Sequence, residues 1–71
     1  MSTIVDARGL SCPQPVILAD RKIRELGKGV LEVLVDTETS KENISRLAQK
    51  TGWNVEVKKT EDHYCLVLRK E

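Results

Sequence analysis

Cys12 lies in the stretch Gly9-Leu10-Ser11-Cys12-Pro13-Gln14-Pro15-Val16, flanked by two prolines on one side and a glycine on the other. Proline suits the first turn of a helix, where its missing N–H would have no partner and its fixed φ is already helical. Two alternating prolines leading into Val16-Ile17-Leu18 predict a helix that starts at Pro13, with Cys12 as its N-cap. The partial positive charge of a helix start favours a thiolate over a thiol. Gly9 permits the sharp turn from a strand into that helix. Cysteine also serves as a small buried hydrophobe, but it caps a helix poorly beside Ser, Thr, Asp or Asn. A helix start built around sulfur points to a reactive thiol.

A dithiol that cycles through an internal disulfide needs C-x-x-C, and here the second position is Pro15. A lone nucleophilic thiol suits different chemistry, in which it accepts sulfane sulfur, holds it as Cys12-S-SH and passes it on. The acceptor attacks the outer sulfur and the Cys12 thiolate leaves, more readily the lower its pKa. Zinc is a rival, because Cys12, His63 and Cys65 are ligands of the right type. Strand alternation turns His63 and Cys65 away from the helices, however, and no further cysteine completes a closed site. Neither metal nor cofactor is expected. A Cys/His protease dyad is disfavoured in a chain too small to add a substrate cleft and an oxyanion hole. The competing function class is a non-enzymatic docking module, which a Cys12→Ser change should spare while abolishing sulfur transfer.

The elements that must position this thiol can be read in order. Thr3 to Asp6 is a short β-branched strand. The helix from Pro13 runs to Leu26 and stops at Gly27, with Val16, Ala19, Ile23 and Leu26 as its inward stripe. Ile17 and Leu18 fall outside the stripe: they either pack against a loop or form an apolar rim beside Cys12, bordered by Arg21, Lys22 and Arg24. Val30 to Val35 is the second strand, with Leu31, Val33 and Val35 on one face. Thr39 and Glu42 have the spacing of a capping box, so a second helix begins near Thr39. Ile44, Leu47 and Ala48 form its buried stripe, Gly52 ends it, and Trp53 closes the cap. Asn54 to Lys58 is a third strand with Val55 and Val57 inward. His63 to Arg69 is a fourth, with Tyr64, Leu66 and Leu68 opposite Cys65 and Val67. The order β-α-β-α-β-β with right-handed crossovers puts both helices on one face of a four-stranded sheet, ordered 1-2-3-4 or 1-2-4-3. The site then lies at the edge where the first helix starts. Arg8, Lys58, Lys59 and His63 at that edge would favour a thiolate, and Asp36 and Glu38 would oppose it.

The run Asp6-Ala7-Arg8-Gly9-Leu10-Ser11-Cys12-Pro13-Gln14-Pro15 resembles the D-x-x-G-x-x-C-P-x-P signature of the TusA/SirA/YedF family of small sulfur-carrier proteins. The resemblance extends through chain length, element order, Val35-Asp36 and Asn43-Ile44. It implies a mixed two-layer α/β sandwich of sheet order 1-2-4-3, with the last strand antiparallel. It also implies that Cys12 is the persulfide carrier, supported by Asp6, Arg8, Gly9, Pro13 and Pro15. The expected partners are a sulfur donor (a cysteine desulfurase or a rhodanese-like protein) and a downstream acceptor protein, docked on Ile17, Leu18 and Arg21. Ser11 stands where tRNA-thiolation members often carry a basic residue, and Asp36–Asn43 looks closer to YedF-like members. Selenium delivery is therefore the alternative within the family.

Composition bounds these readings. The chain has 71 residues, enough for one domain over 1–71, and two cysteines. Its net charge of +1 with 32% charged residues lacks the basic excess of a nucleic-acid binder. No apolar run could span a bilayer, and Met1-Ser2-Thr3 leads into the first strand without a signal peptide. A cytoplasmic monomer is expected, and a reducing cytoplasm argues against a Cys12–Cys65 disulfide.

Overall fold

The computed structural model describes residues 3–10 and 13–71. In chain order it contains β1 (Thr3–Asp6), α1 (Gln14–Leu26), β2 (Gly29–Val35), α2 (Glu38–Lys50), β3 (Asn54–Lys59) and β4 (Tyr64–Lys70). The sheet order is β1-β2-β4-β3. β1 runs parallel to β2, and β4 is antiparallel to both β2 and β3. The arrangement is the α+β sandwich expected, with the last strand inserted between the second and third.

Alternation divides the sheet into two faces. Leu31, Val33 and Val35 of β2 stand in register with Leu68, Leu66 and Tyr64 of β4. The five aliphatic members of that set are fully buried, together with Ala19, Ile44 and Ala48 from the helices. Truncating Leu31 or Leu66 to Ala removes packed methylenes at a cost of about 2–5 kcal/mol. On the other face, Ile4 is 62% exposed, whereas Val67 is buried. β4 is a central strand, and Val67 sits in register between Glu32 and Glu56, so neighbouring side chains can shield it.

Several boundaries differ from the sequence reading. α1 begins at Gln14, with Pro13 as the N-cap and Pro15 inside the first turn. The expected cap, Cys12, lies outside the described residues. α2 is capped by Thr37, whose extended backbone lets Oγ1 accept from the Ser40 N–H at 3.2 Å. Thr39 falls inside the helix: it alone has the capping-box spacing to an acidic residue, but Thr37 stands at the end of the loop and caps with Ser40 three positions on. At the other end, the Gly52 N–H donates to the Gln49 carbonyl and the Trp53 N–H to that of Ala48, at 2.8 Å for the latter. This Schellman pattern leaves Trp53 buried, as expected. Leu26 is 36% exposed, although it shares a face with Ile23. It closes the last turn of α1, where Gly27 at φ 71° already carries the chain away. Val57 is 42% exposed, because β3 is an edge strand with a neighbour on one side only. β4 begins at Tyr64, leaving His63 in the preceding turn.

Candidate functional site at the edge where α1 starts

The turn from β1 into α1 is held by three sets of hydrogen bonds. The buried Ala7 prolongs the β1–β2 ladder by donating its N–H to the Leu34 carbonyl at 2.8 Å. Arg8 folds back on Asp6, with Nε to Oδ1 and Nη2 to Oδ2 both at 2.9 Å, and its own N–H also reaches Oδ1 at 3.1 Å. Gly9 has φ 79°, a conformation that a Cβ would strain. Its N–H donates to Oδ2 of Asp36 at 2.8 Å, joining this turn to the loop after β2.

Asp6 and Arg8 neutralise one another. The hydrogen bonds from Arg8 lower the Asp6 pKa to about 2, and Asp6 raises that of Arg8 in return. Arg8 thus acts as half of a pair and not as the free cation the sequence reading placed at this edge. Asp36, read there as an opposing charge, also serves as an acceptor for the Gly9 amide.

The start of α1 lacks such compensation. Among the described residues no side chain caps it, and its first turn holds no acidic residue. The Pro13 carbonyl accepts the Ile17 N–H at 3.1 Å, closing the first helical turn. Pro13 and Pro15 contribute no donors, so the amides of Gln14 and Val16 carry the helix's positive end. The two prolines play different parts: Pro13 is exposed and Pro15 is fully buried.

The remaining residues singled out in the sequence divide by position. His63 is at the same edge, its Nδ1 lying 2.8 Å from Oδ1 of Asp62 and 2.9 Å from Oγ1 of Thr60. The hydrogen bond to His63 lowers the Asp62 pKa. Lys59, with Lys41 of α2, lies over the Tyr64 ring, their Nζ atoms 5.9 and 5.2 Å from its centroid. Cys65 is half-buried, in register with Leu34 and Lys58. Burial pushes its thiol pKa up, Glu32 adds to the effect and Lys58 partly offsets it. No group of three potential metal ligands occurs among the described residues. Ile17 is 44% exposed and Arg21 is exposed, whereas Leu18 is half-buried against the core. Of these two apolar residues Ile17 is thus the exposed one and Leu18 the packed one, because they differ by about 100° around the helix.

The sequence reading missed the Gly9–Asp36 link, which spans 27 positions and leaves no local signal. It also missed a groove between the helices, lined by Pro13, Val16, Asn43, Arg46, Leu47 and Lys50, with a volume of about 340 Å³. Arg46 and Lys50, one turn apart, were the available clue.

Comparison with known proteins agrees with this architecture. A solved SirA-like protein from Desulfitobacterium hafniense superposes with a TM-score of 0.88 at 35% identity, covering 97% of this chain and 96% of its own. A candidate sulfur carrier protein of Archaeoglobus fulgidus is 39% identical over 69 residues, 94% of each chain. Another from Methanocaldococcus jannaschii is 35% identical over 68 residues, covering 93% of this chain and 91% of its own. The sulfur carrier protein TusA of Pseudomonas aeruginosa matches over a shorter stretch, 40% identical across 40 residues, covering 56% of this chain and 51% of its own. The sequence model described as "Sulfurtransferase TusA" matches residues 3–70, and with relatives this similar along nearly the whole chain, the protein belongs to the TusA family of sulfur carriers.

Proposed function

We propose that the protein carries sulfane sulfur on Cys12 and relays it between a donor and an acceptor protein. The observation that carries this reading is the start of α1, whose N-cap Pro13 follows Cys12 in the chain and which, among the described residues, has neither a side-chain cap nor an acidic residue in its first turn. A positive helix end favours thiolate, which is both the nucleophile on loading and the leaving group on delivery.

In loading, the Cys12 thiolate attacks the outer sulfur of a donor persulfide. A new S–S bond forms, the donor's S–S bond breaks, and the donor cysteine leaves as its thiolate. In delivery, an acceptor thiolate attacks the outer sulfur of Cys12-S-SH, and Cys12 leaves as its thiolate. Neither step consumes an oxidant or a reductant. We assign the relay to the cytoplasm, where cysteines are kept reduced, with a cysteine desulfurase or rhodanese-like protein as donor. Asp6, Arg8 and Gly9 support the site by fixing the turn that leads to Cys12.

Incubation with a cysteine desulfurase and cysteine, followed by peptide mapping in a mass spectrometer, tests the proposal. One added sulfur on the Cys12 peptide is expected, with loading retained in Cys65→Ser and lost in Cys12→Ser. Sulfur mainly on Cys65, whose thiol pKa burial raises, would overturn it. A Cys12→Ser protein that still sustained transfer in an assay with acceptor would reduce the chain to a docking module.

A further inference from the structure

The groove between α1 and α2 pairs an apolar floor with a positive rim. Pro13, Val16 and Leu47 supply the floor, and Arg46 and Lys50 stand on the α2 side. Each α1 cation that has an ion pair is matched within its own helix, Lys22 with Glu25 and Arg24 with Asp20. Arg46 and Lys50 have no ion-pair partner among the described residues.

Two like charges four residues apart on a helix repel one another. Lys50 is favoured in the last turn of α2 by the negative helix end, but that effect fades within one turn and does not account for Arg46. Nucleic acid would meet two cations beside an aliphatic floor with no aromatic side chain on which a base could stack. An apolar side chain flanked by carboxylates matches both parts of the groove.

We infer that this groove docks an acidic, apolar segment of a partner protein, its apolar side chains over Val16 and Leu47 and its carboxylates on Arg46 and Lys50. The inference rests on the carrier reading only for the partner's role. Pro13 is the residue after Cys12, so a segment held there would be anchored beside the sulfur-bearing position.

The test uses a random dodecapeptide display library selected on the full chain and, separately, on the Arg46→Glu/Lys50→Glu variant, whose fold is checked by its melting curve. The expected peptides carry Asp or Glu beside large apolar residues. When titrated, they shift the amide resonances of Val16, Leu47 and Lys50. Charge reversal should weaken them about tenfold or more and should itself select basic-flanked peptides. Selected peptides without acidic enrichment, or amide shifts confined to the sheet face bearing Ile4, would overturn the inference. So would poly(U) shifting the groove amides while no peptide does, which would assign the groove to RNA. If the variant fails to fold, the neutral Arg46→Gln/Lys50→Gln pair gives the same comparison. Because the selection involves no sulfur, it can fail while Cys12 loads normally, or succeed while loading fails.

Discussion

The Asp36 carboxylate accepts the Gly9 N–H at 2.8 Å and thereby ties the loop after β2 to the turn that leads into α1. Both residues are exposed, so solvent competes for the bond and its contribution to stability is about 1 kcal/mol. Its greater effect is local, because it fixes a backbone amide three residues before Cys12. Asp36→Ala should accelerate hydrogen exchange at Gly9 while leaving the core amides of Leu31, Val33 and Leu66 protected. A uniform acceleration across the core would show instead that Asp36 holds the whole fold.

The Asp6–Arg8 pair sets a pH dependence with a definite sign. Asp6 titrates near 3.8 when free of partners and at about 2 in the folded chain. A carboxyl whose folded pKa is depressed stabilises the fold above its unfolded pKa, and that contribution disappears as pH falls through the folded one. Asp6→Asn should therefore be less stable than the parent near neutrality. The gap in urea midpoint should close as pH drops from about 4 to about 2. A gap that stayed constant through that window would mean that the pair's ionisation contributes nothing.

Local pattern in the sequence carried most of the fold. The inward stripe Leu31, Val33 and Val35, the Gly52–Trp53 helix stop and the strand–helix order are all set by neighbours within a few residues. The sheet order needed the family resemblance, since handedness alone admits two orders. Contacts between distant segments were illegible, and Asp36 to Gly9 is the clearest case. Small phase errors also had large consequences. Placing the start of α1 one residue early made Pro13 and Pro15 look alike, yet one is exposed and the other fully buried.

That difference can be measured. Pro13 is the N-cap of α1, so Pro13→Ala changes stability through unfolded-chain entropy by about 1 kcal/mol or less. Pro15→Ala adds the loss of packed ring methylenes and should cost about 2 kcal/mol. Chemical denaturation of the two variants gives the comparison directly. Equal destabilisation would contradict the distinct environments of the two rings.

Ile17 and Leu18 separate docking from packing in the same way. Ile17 is 44% exposed, while Leu18 packs against the core. A polar replacement on the surface usually changes stability by about 0.5 kcal/mol or less, whereas one in a packed position costs on the order of 1–3 kcal/mol. Ile17→Ser should therefore melt close to the parent and Leu18→Ser well below it. If Ile17 meets the donor or acceptor, Ile17→Ser should slow sulfur transfer while leaving the alkylation rate of Cys12 by a small reagent unchanged. Arg21, exposed one turn further along, would act mainly on the encounter, so Arg21→Glu should lower the association rate and flatten its dependence on salt. Transfer at the parental rate in Ile17→Ser would remove Ile17 from the docking surface, and a melting temperature far below the parent's would place it in the core.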